Sequence, residues 1–167
     1  MTDLADRVSD LAERYAHGHD RPVGSYGILD AIYVGVVGAI GLAARRRKLP
    51  DLSLKDIAVI GVATHRLART IAKDPVTSPF RMPFTRYQGV SAAAELEEEV
   101  VADGFGHAVG ELVTCPFCLA QWVATGFVGG MIFAPRATRL AAATFACVAA
   151  ADFLQYAYAG AQQATET

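Results

Sequence analysis

The stretch LVTCPFCLAQWVATGFVGGMIFA, Leu112 to Ala134, decides the reading of this chain because it carries no formal charge over its whole length. At about 1.5 Å of rise per residue, a helix of that length covers the roughly 30 Å hydrocarbon core of a bilayer. It predicts a membrane-spanning helix with a cysteine pair, Cys115 and Cys118, at its mouth. Pro116 suits the first helical position, where its missing N–H costs nothing, so Cys115 falls at the N-cap and Cys118 one turn in. Gly126 and Gly130 place a G-x-x-x-G packing face on the same segment.

Working outward, Pro135-Arg136 closes this segment with a short turn, and an alanine-rich span follows over residues 138–158, carrying Asp152 and Gln155 toward its end. Upstream, Arg21-Pro22-Val23-Gly24 is a turn signal. A span over 26–44 then runs apolar except for Asp30 and stops at Arg45-Arg46-Arg47-Lys48. Ala31, Gly35, Ala39 and Ala43 recur every four residues on it, a stripe that lets another helix approach closely. Ser53 is a suitable N-cap for a helix over 54–72, apolar in its first half and basic at His65, Arg66 and Arg69. This segment either crosses or is re-entrant, giving three or four spans.

Residues 74–111 predict a polar interfacial loop. Pro75, Pro79 and Pro83 forbid a continuous helix, while Phe80, Phe84, Tyr87, Arg81 and Arg86 suit headgroup depth. Ser91 to Asp103, with Glu95, Glu97, Glu98 and Glu99, predicts a short acidic helix with a solvated face. At the other end of the chain, Leu4, Val8, Leu11 and Tyr15 at helical spacing predict an N-terminal amphipathic helix within residues 1–24, and 161–167 reads as a flexible tail. The charged stretch Thr2 to Asp20 does not read as a signal peptide. The fold class is therefore all-α: a polytopic helical membrane bundle with an amphipathic N-terminal helix, placed in the cell membrane. A compact soluble bundle is the alternative. Arg45 to Lys48 favours a cytoplasmic position for that end, which with four spans turns both termini outward, although Arg66, Arg69, Lys73, Arg81 and Arg86 lie opposite.

Composition sets further bounds. Of 167 residues, 53% are hydrophobic and 19% charged, and the net charge of −2 lacks the basic face that nucleic-acid binding requires. The cysteine pair admits several readings: a structural disulfide or simple packing, a thiol–disulfide couple with Cys115 as nucleophile and Cys118 as resolving thiol, or half of a zinc site with His107 as the nearest further ligand. His17 and His19 lie in a polar turn, and Cys147 suits a small apolar role. Among the groups at membrane depth, Asp30, His65, Arg66, Arg69 and Asp152, Asp152 is expected to pair with Arg66 or Arg69, and Asp152 with His65 raises a transporter reading. Arg66, Arg69, Arg81 and Arg86 together could meet lipid phosphate. No phosphate loop, dinucleotide fingerprint, zinc-protease helix or nucleophile elbow occurs, and no cofactor is expected.

The run Ala63-Thr64-His65-Arg66-Leu67-Ala68-Arg69-Thr70-Ile71, then Asp74-Pro75-Val76-Thr77-Ser78-Pro79-Phe80-Arg81, then Glu111-Leu112-Val113-Thr114-Cys115-Pro116-Phe117-Cys118 with Gln121-Trp122-Val123, resembles domain-of-unknown-function family 1360 over roughly residues 54–155. Ala120 departs from the glycine expected before the tryptophan segment. The resemblance implies a small bacterial or phage membrane protein and brings no established activity. It marks Arg66, Arg69, Asp74, Thr77, Arg81, Glu111, Cys115, Cys118 and Trp122 as signature positions. The combined expectation is a non-enzymatic structural or accessory component whose polar cap pairs Arg66, Arg69 and Arg81 with Asp74 or Glu111 beside a disulfide-capable or thiol-sensing pair. Its partners would be the lipid membrane and a second copy or another membrane protein. The alternatives are a membrane thiol–disulfide oxidoreductase and a small transporter or lipid-binding subunit.

Overall fold

A computed structural model describes residues 2–17 and 21–166; His19 lies outside the described residues. The central helix is α3 (Leu54–Lys73). It starts in a capping box: Ser53 Oγ accepts the Asp56 N–H at 3.1 Å, and the Asp56 carboxylate accepts the Ser53 N–H at 3.2 Å. It stops at Asp74 because Pro75 disfavours helical backbone in the residue before it. Small side chains, Ala63, Ala68 and Ala72, are buried along it and let two longer helices approach.

Those are α6 (Pro116–Phe133) and α7 (Pro135–Glu166). Leu119 joins Ala68 and Ala72 in one apolar cluster, while Phe127 and Met131 join Ile60, Ala63 and Ala142 in another, so α6 runs antiparallel to α3. α7 runs parallel to α3, with Arg139 bound to Asp56 at one level and Asp152 beside Arg66 at the next. A fourth helix, α2 (Val23–Ala44), leans on α6: Tyr33 meets Trp122 edge to face at 5.1 Å and shares a 2.9 Å hydrogen bond with Thr125, and Ile40 sits over Gly129. Just beyond its end, the Arg47 guanidinium lies 5.2 Å above the Phe133 ring. The four helices thus run side by side, with Arg45 to Lys48 at one end and Cys115 at the other. The amphipathic α1 (Thr2–Ala16) precedes them, and its Leu11 and Tyr15 are exposed.

Among the described residues, three helices are long and apolar enough to cross a membrane, namely α2, α6 and Pro135–Thr165 of α7. Their most apolar windows are only 6%, 22% and 11% buried, so Ile28, Val34, Leu42 and Leu140 face outward. α3 is not among them, because Lys55, Asp56, Arg66, Arg69 and Lys73 interrupt it.

The structure corrects four expectations. First, the chain is mostly helical but not all-α. Glu95–Val100 is strand β2, paired antiparallel with strand β1 (Thr85–Ala92), where a short acidic helix was expected. Leu96, Glu98 and Val100 alternate inward along β2, the period of a strand. Second, residues 74–111 are an ordered cap and not a loop: a 3₁₀ turn Pro75–Thr77, α4 (Ser78–Arg81), the hairpin, and α5 (Gly104–Thr114). Third, 112–134 is not one helix. Leu112 to Thr114 finish α5, and the chain turns at Cys115, which Pro116 holds in extended backbone. Fourth, α7 begins at Pro135 and stays helical through 161–166, where a flexible tail was expected. The G-x-x-x-G face also splits in use. A Cβ on Gly130 would meet Thr138 at 2.6 Å, whereas one on Gly126 would meet nothing within 4 Å.

Candidate functional site

The polar cap sits over the end of the bundle that carries Cys115, and one buried arginine organises it. Arg81 is wholly sealed from solvent. Its Nε and Nη2 donate to the two carboxylate oxygens of Glu98 at 2.6 and 3.1 Å; Nη1 donates to the Ile71 carbonyl and to Thr77 Oγ1, both at 2.6 Å; and Nη2 reaches the Asp74 carbonyl at 3.1 Å. Thr77 Oγ1 in turn donates to the Thr70 carbonyl at 2.6 Å. Helices leave their last four carbonyls unpaired, and here Arg81 and Thr77 satisfy that end of α3. The planar guanidinium fork fits this task as a lysine could not.

Arg66 sits one layer deeper. Its two terminal nitrogens fork onto Asp74 at 3.3 and 3.0 Å, and its Nε lies 2.9 Å from Asp152, out of line for a hydrogen bond. Arg69 pairs with Glu95 at the hairpin tip, Nε to Oε1 at 2.9 Å. Glu111 receives Arg21 at 2.7 Å and the Tyr26 hydroxyl at 2.5 Å, with His107 3.4 Å away. Burial pushes the Glu111 carboxyl upward, but the Tyr26 hydroxyl, Arg21 and His107 outweigh it and hold the group below its ordinary value.

Of the residues expected to form the cap, the structure brings Arg66 to Asp74 and Asp152, while Arg69 and Arg81 go to Glu95 and Glu98 and Glu111 goes to Arg21 and Tyr26. Arg81, being fully buried, offers no surface to a lipid phosphate. Glu95, Glu98, Arg21 and Tyr26 were missed. The period-two spacing of Leu96, Glu98 and Val100 was the available signal for Glu98.

At the mouth of α6, Cys115 Sγ accepts the Cys118 N–H at 3.2 Å, and the two sulfurs lie 2.6 Å apart as free thiols, Cys118 exposed. His107 is turned to Glu111 and to the Ala102 carbonyl at 3.2 Å. Among the described residues no group of three or more His, Cys, Asp or Glu side chains is placed to hold a metal ion. Cys147 is exposed on α7, and Trp122 packs against Tyr33. Between the hairpin tip, the end of α3 and α7 lies an open cleft of about 510 Å³.

Residues 59–158 match the family described as a protein of unknown function, DUF1360. The chain belongs to that family. The matched part of this DUF1360 protein runs from α3 through the cap to the part of α7 beside the cleft, and leaves Arg21 and Tyr26 outside it. The Glu111 clamp therefore ties a segment beyond the family match to a helix within it. No curated protein and no solved structure matches the chain.

Proposed function

We propose that this DUF1360 protein is a multi-pass membrane protein of the cell envelope with a non-enzymatic structural or accessory role, its cap covering one membrane face. The observation that carries this reading is the outward orientation of apolar side chains on α2, α6 and α7. Exposing so much apolar surface to water is unfavourable, and lipid removes the penalty. α3 crosses with them, its charged end screened by the cap and by Asp152. The basic end, Arg45 to Lys48 with Arg136 and Arg139, lies inside, and the cap lies outside. Cys115 and Cys118 are near enough to close into a disulfide in the presence of an external oxidant, which would lock the junction of α5 and α6; as thiols they would report the redox state at that face. Partners are the lipid bilayer and a second copy or another membrane protein.

Alkaline extraction of membranes tests placement: the protein stays in the pellet, and its release into the supernatant would overturn the membrane reading. Impermeant maleimide on intact cells tests orientation and redox state together. Cys118 labels from outside after reduction, whereas a cysteine placed by Lys48→Cys in a chain lacking the native cysteines labels only once cells are opened. The reverse pattern would invert the topology, and full labelling without reduction would remove the disulfide.

A further inference from the structure

The cleft beside the cap is built from charges of both signs against an apolar wall. We infer that it binds a phospholipid whose headgroup is zwitterionic, a phosphate with a free ammonium; this rests on the membrane reading above. At about 510 Å³ it falls within the roughly 300–1,000 Å³ range of small-molecule sites.

Its ionic lining is Arg66 and Arg69 against Asp74, Glu95 and Asp152. With three carboxylates to two guanidiniums, a bare anion meets a net negative wall, and a bare cation meets two arginines. A headgroup carrying both signs meets neither penalty, provided each arm finds an unused partner, and each does. Arg69 spends Nε and Nη2 on Glu95, leaving Nη1 without an acceptor among the described residues, and its side chain is 36% exposed. Asp152 spends Oδ2 on Arg66, leaving Oδ1 without a donor among the described residues, and is 39% exposed. By contrast, Asp74 and Glu95, which hold the arginines in place, are only 17% and 16% exposed. The accessible charges are thus one cation from α3 and one anion from α7. The His65 ring and the Gln155 amide line the same space and make no side-chain hydrogen bond among the described residues. They are spare donors for the phosphate arm and a spare acceptor for the ammonium arm.

The apolar wall supplies the rest. Phe153 and Tyr156 line the cleft and are mostly exposed, two faces along which an acyl chain lies as it leaves the headgroup. Asp152 sits thirteen residues up α7 from Arg139, about 20 Å at helical rise, which puts the cleft in the outer half of a hydrocarbon core roughly 30 Å thick, on the side of the cap.

The test uses the full chain purified in a non-ionic detergent and native mass spectrometry with three probes: dioctanoyl phosphatidylethanolamine, dioctanoyl phosphatidylglycerol and soluble phosphoethanolamine. The expected result is one ethanolamine lipid retained per chain, at least tenfold tighter than the glycerol lipid, with no retention of phosphoethanolamine. Ala159→Trp fills the cleft from an exposed position on α7 and leaves every ion pair in place; it weakens ethanolamine-lipid retention at least tenfold at an unchanged melting temperature. Asp152→Asn removes the ammonium's partner and narrows the preference over the glycerol lipid to less than threefold. Equal retention of both lipids by the unaltered protein, or undiminished retention by Ala159→Trp, would overturn the site, and phosphoethanolamine bound as tightly as its lipid would overturn the role of the tail. A protein that resists alkaline extraction and yet fails these arms keeps the membrane reading and loses this one.

Discussion

The cap and α2 invert each other's rules. In the cap a guanidinium, Arg81, is buried completely with Glu98 and the α3 carbonyls around it, while on α2 the apolar side chains Ile28, Val34 and Leu42 stand exposed. A charge buried in one region and hydrocarbon left out in the other cannot both be favourable in one solvent. The contrast supports the proposed reading of two surroundings, water over the cap and lipid around the helices.

The sharpest way to break the comparison is to remove the buried charge. Arg81→Ala leaves Glu98 without its guanidinium and takes the short Nη1 hydrogen bond from the Ile71 carbonyl, so it lowers stability by about 3–5 kcal/mol, read as a fall in melting temperature of the detergent-solubilised protein. Adding Glu98→Leu recovers only part of this, because the Ile71 carbonyl still lacks its short hydrogen bond. Full recovery would reduce the Arg81 role to its ion pair.

The glycines separate the two regions next. A Cβ on Gly110 would lie 2.7 Å from Val100 Cγ1 and 3.2 Å from Phe84 Cβ, so Gly110→Ala wedges α5 from the hairpin and costs about 1–3 kcal/mol. Gly35 and Gly38 of α2 face open space, and Gly35→Ala with Gly38→Ala is neutral or raises stability by at most about 1 kcal/mol each. Equal losses at both places would mean that α2 is packed as tightly as the cap.

The smallest effect is the pH response of the clamp between them. Glu111 titrates below its ordinary value in the folded protein, so its contribution is fully present above the normal carboxylate range and is lost as pH falls through and below it. Protection of the amides at the start of α2, the ratio of intrinsic to observed hydrogen-exchange rate, therefore falls below about pH 4, and Glu111→Gln shows the lower protection already at neutral pH. Protection that is the same at both pH values would remove the clamp.

How far the sequence could be read depends on which signals are local. Ser53 with Asp56 three residues on, and Cys115 with Pro116 behind it, are helix starts written into adjacent residues, and the structure has helices beginning at both. The hairpin was hidden because Glu95, Glu97, Glu98 and Glu99 look like a solvated charge run. The spacing of Leu96, Glu98 and Val100 is a faint sign of a strand, and Arg81, seventeen residues before Glu98, supplies the partner that lets that carboxylate face inward. Continuity from Leu112 to Ala134 was misleading for the reverse reason. Hydropathy is blind to the proline that ends one helix and starts the next. The Arg21 and Tyr26 contacts to Glu111 bridge some ninety residues, and nothing in either local sequence announces them.

Phe133 ends α6 and Pro135 starts α7, so a single residue, Ala134, joins them. Its N–H donates to Gly130 at 2.8 Å, and its carbonyl accepts both the N–H and the hydroxyl of Thr138, at 3.0 and 2.9 Å. With the turn's backbone saturated and no slack in the connection, neither helix can enter a bilayer and leave the other waiting at the surface. In the orientation proposed above the turn stays at the inner face, so the two helices would cross as one unit, with Arg136 and Arg139, directly behind the turn, holding it there.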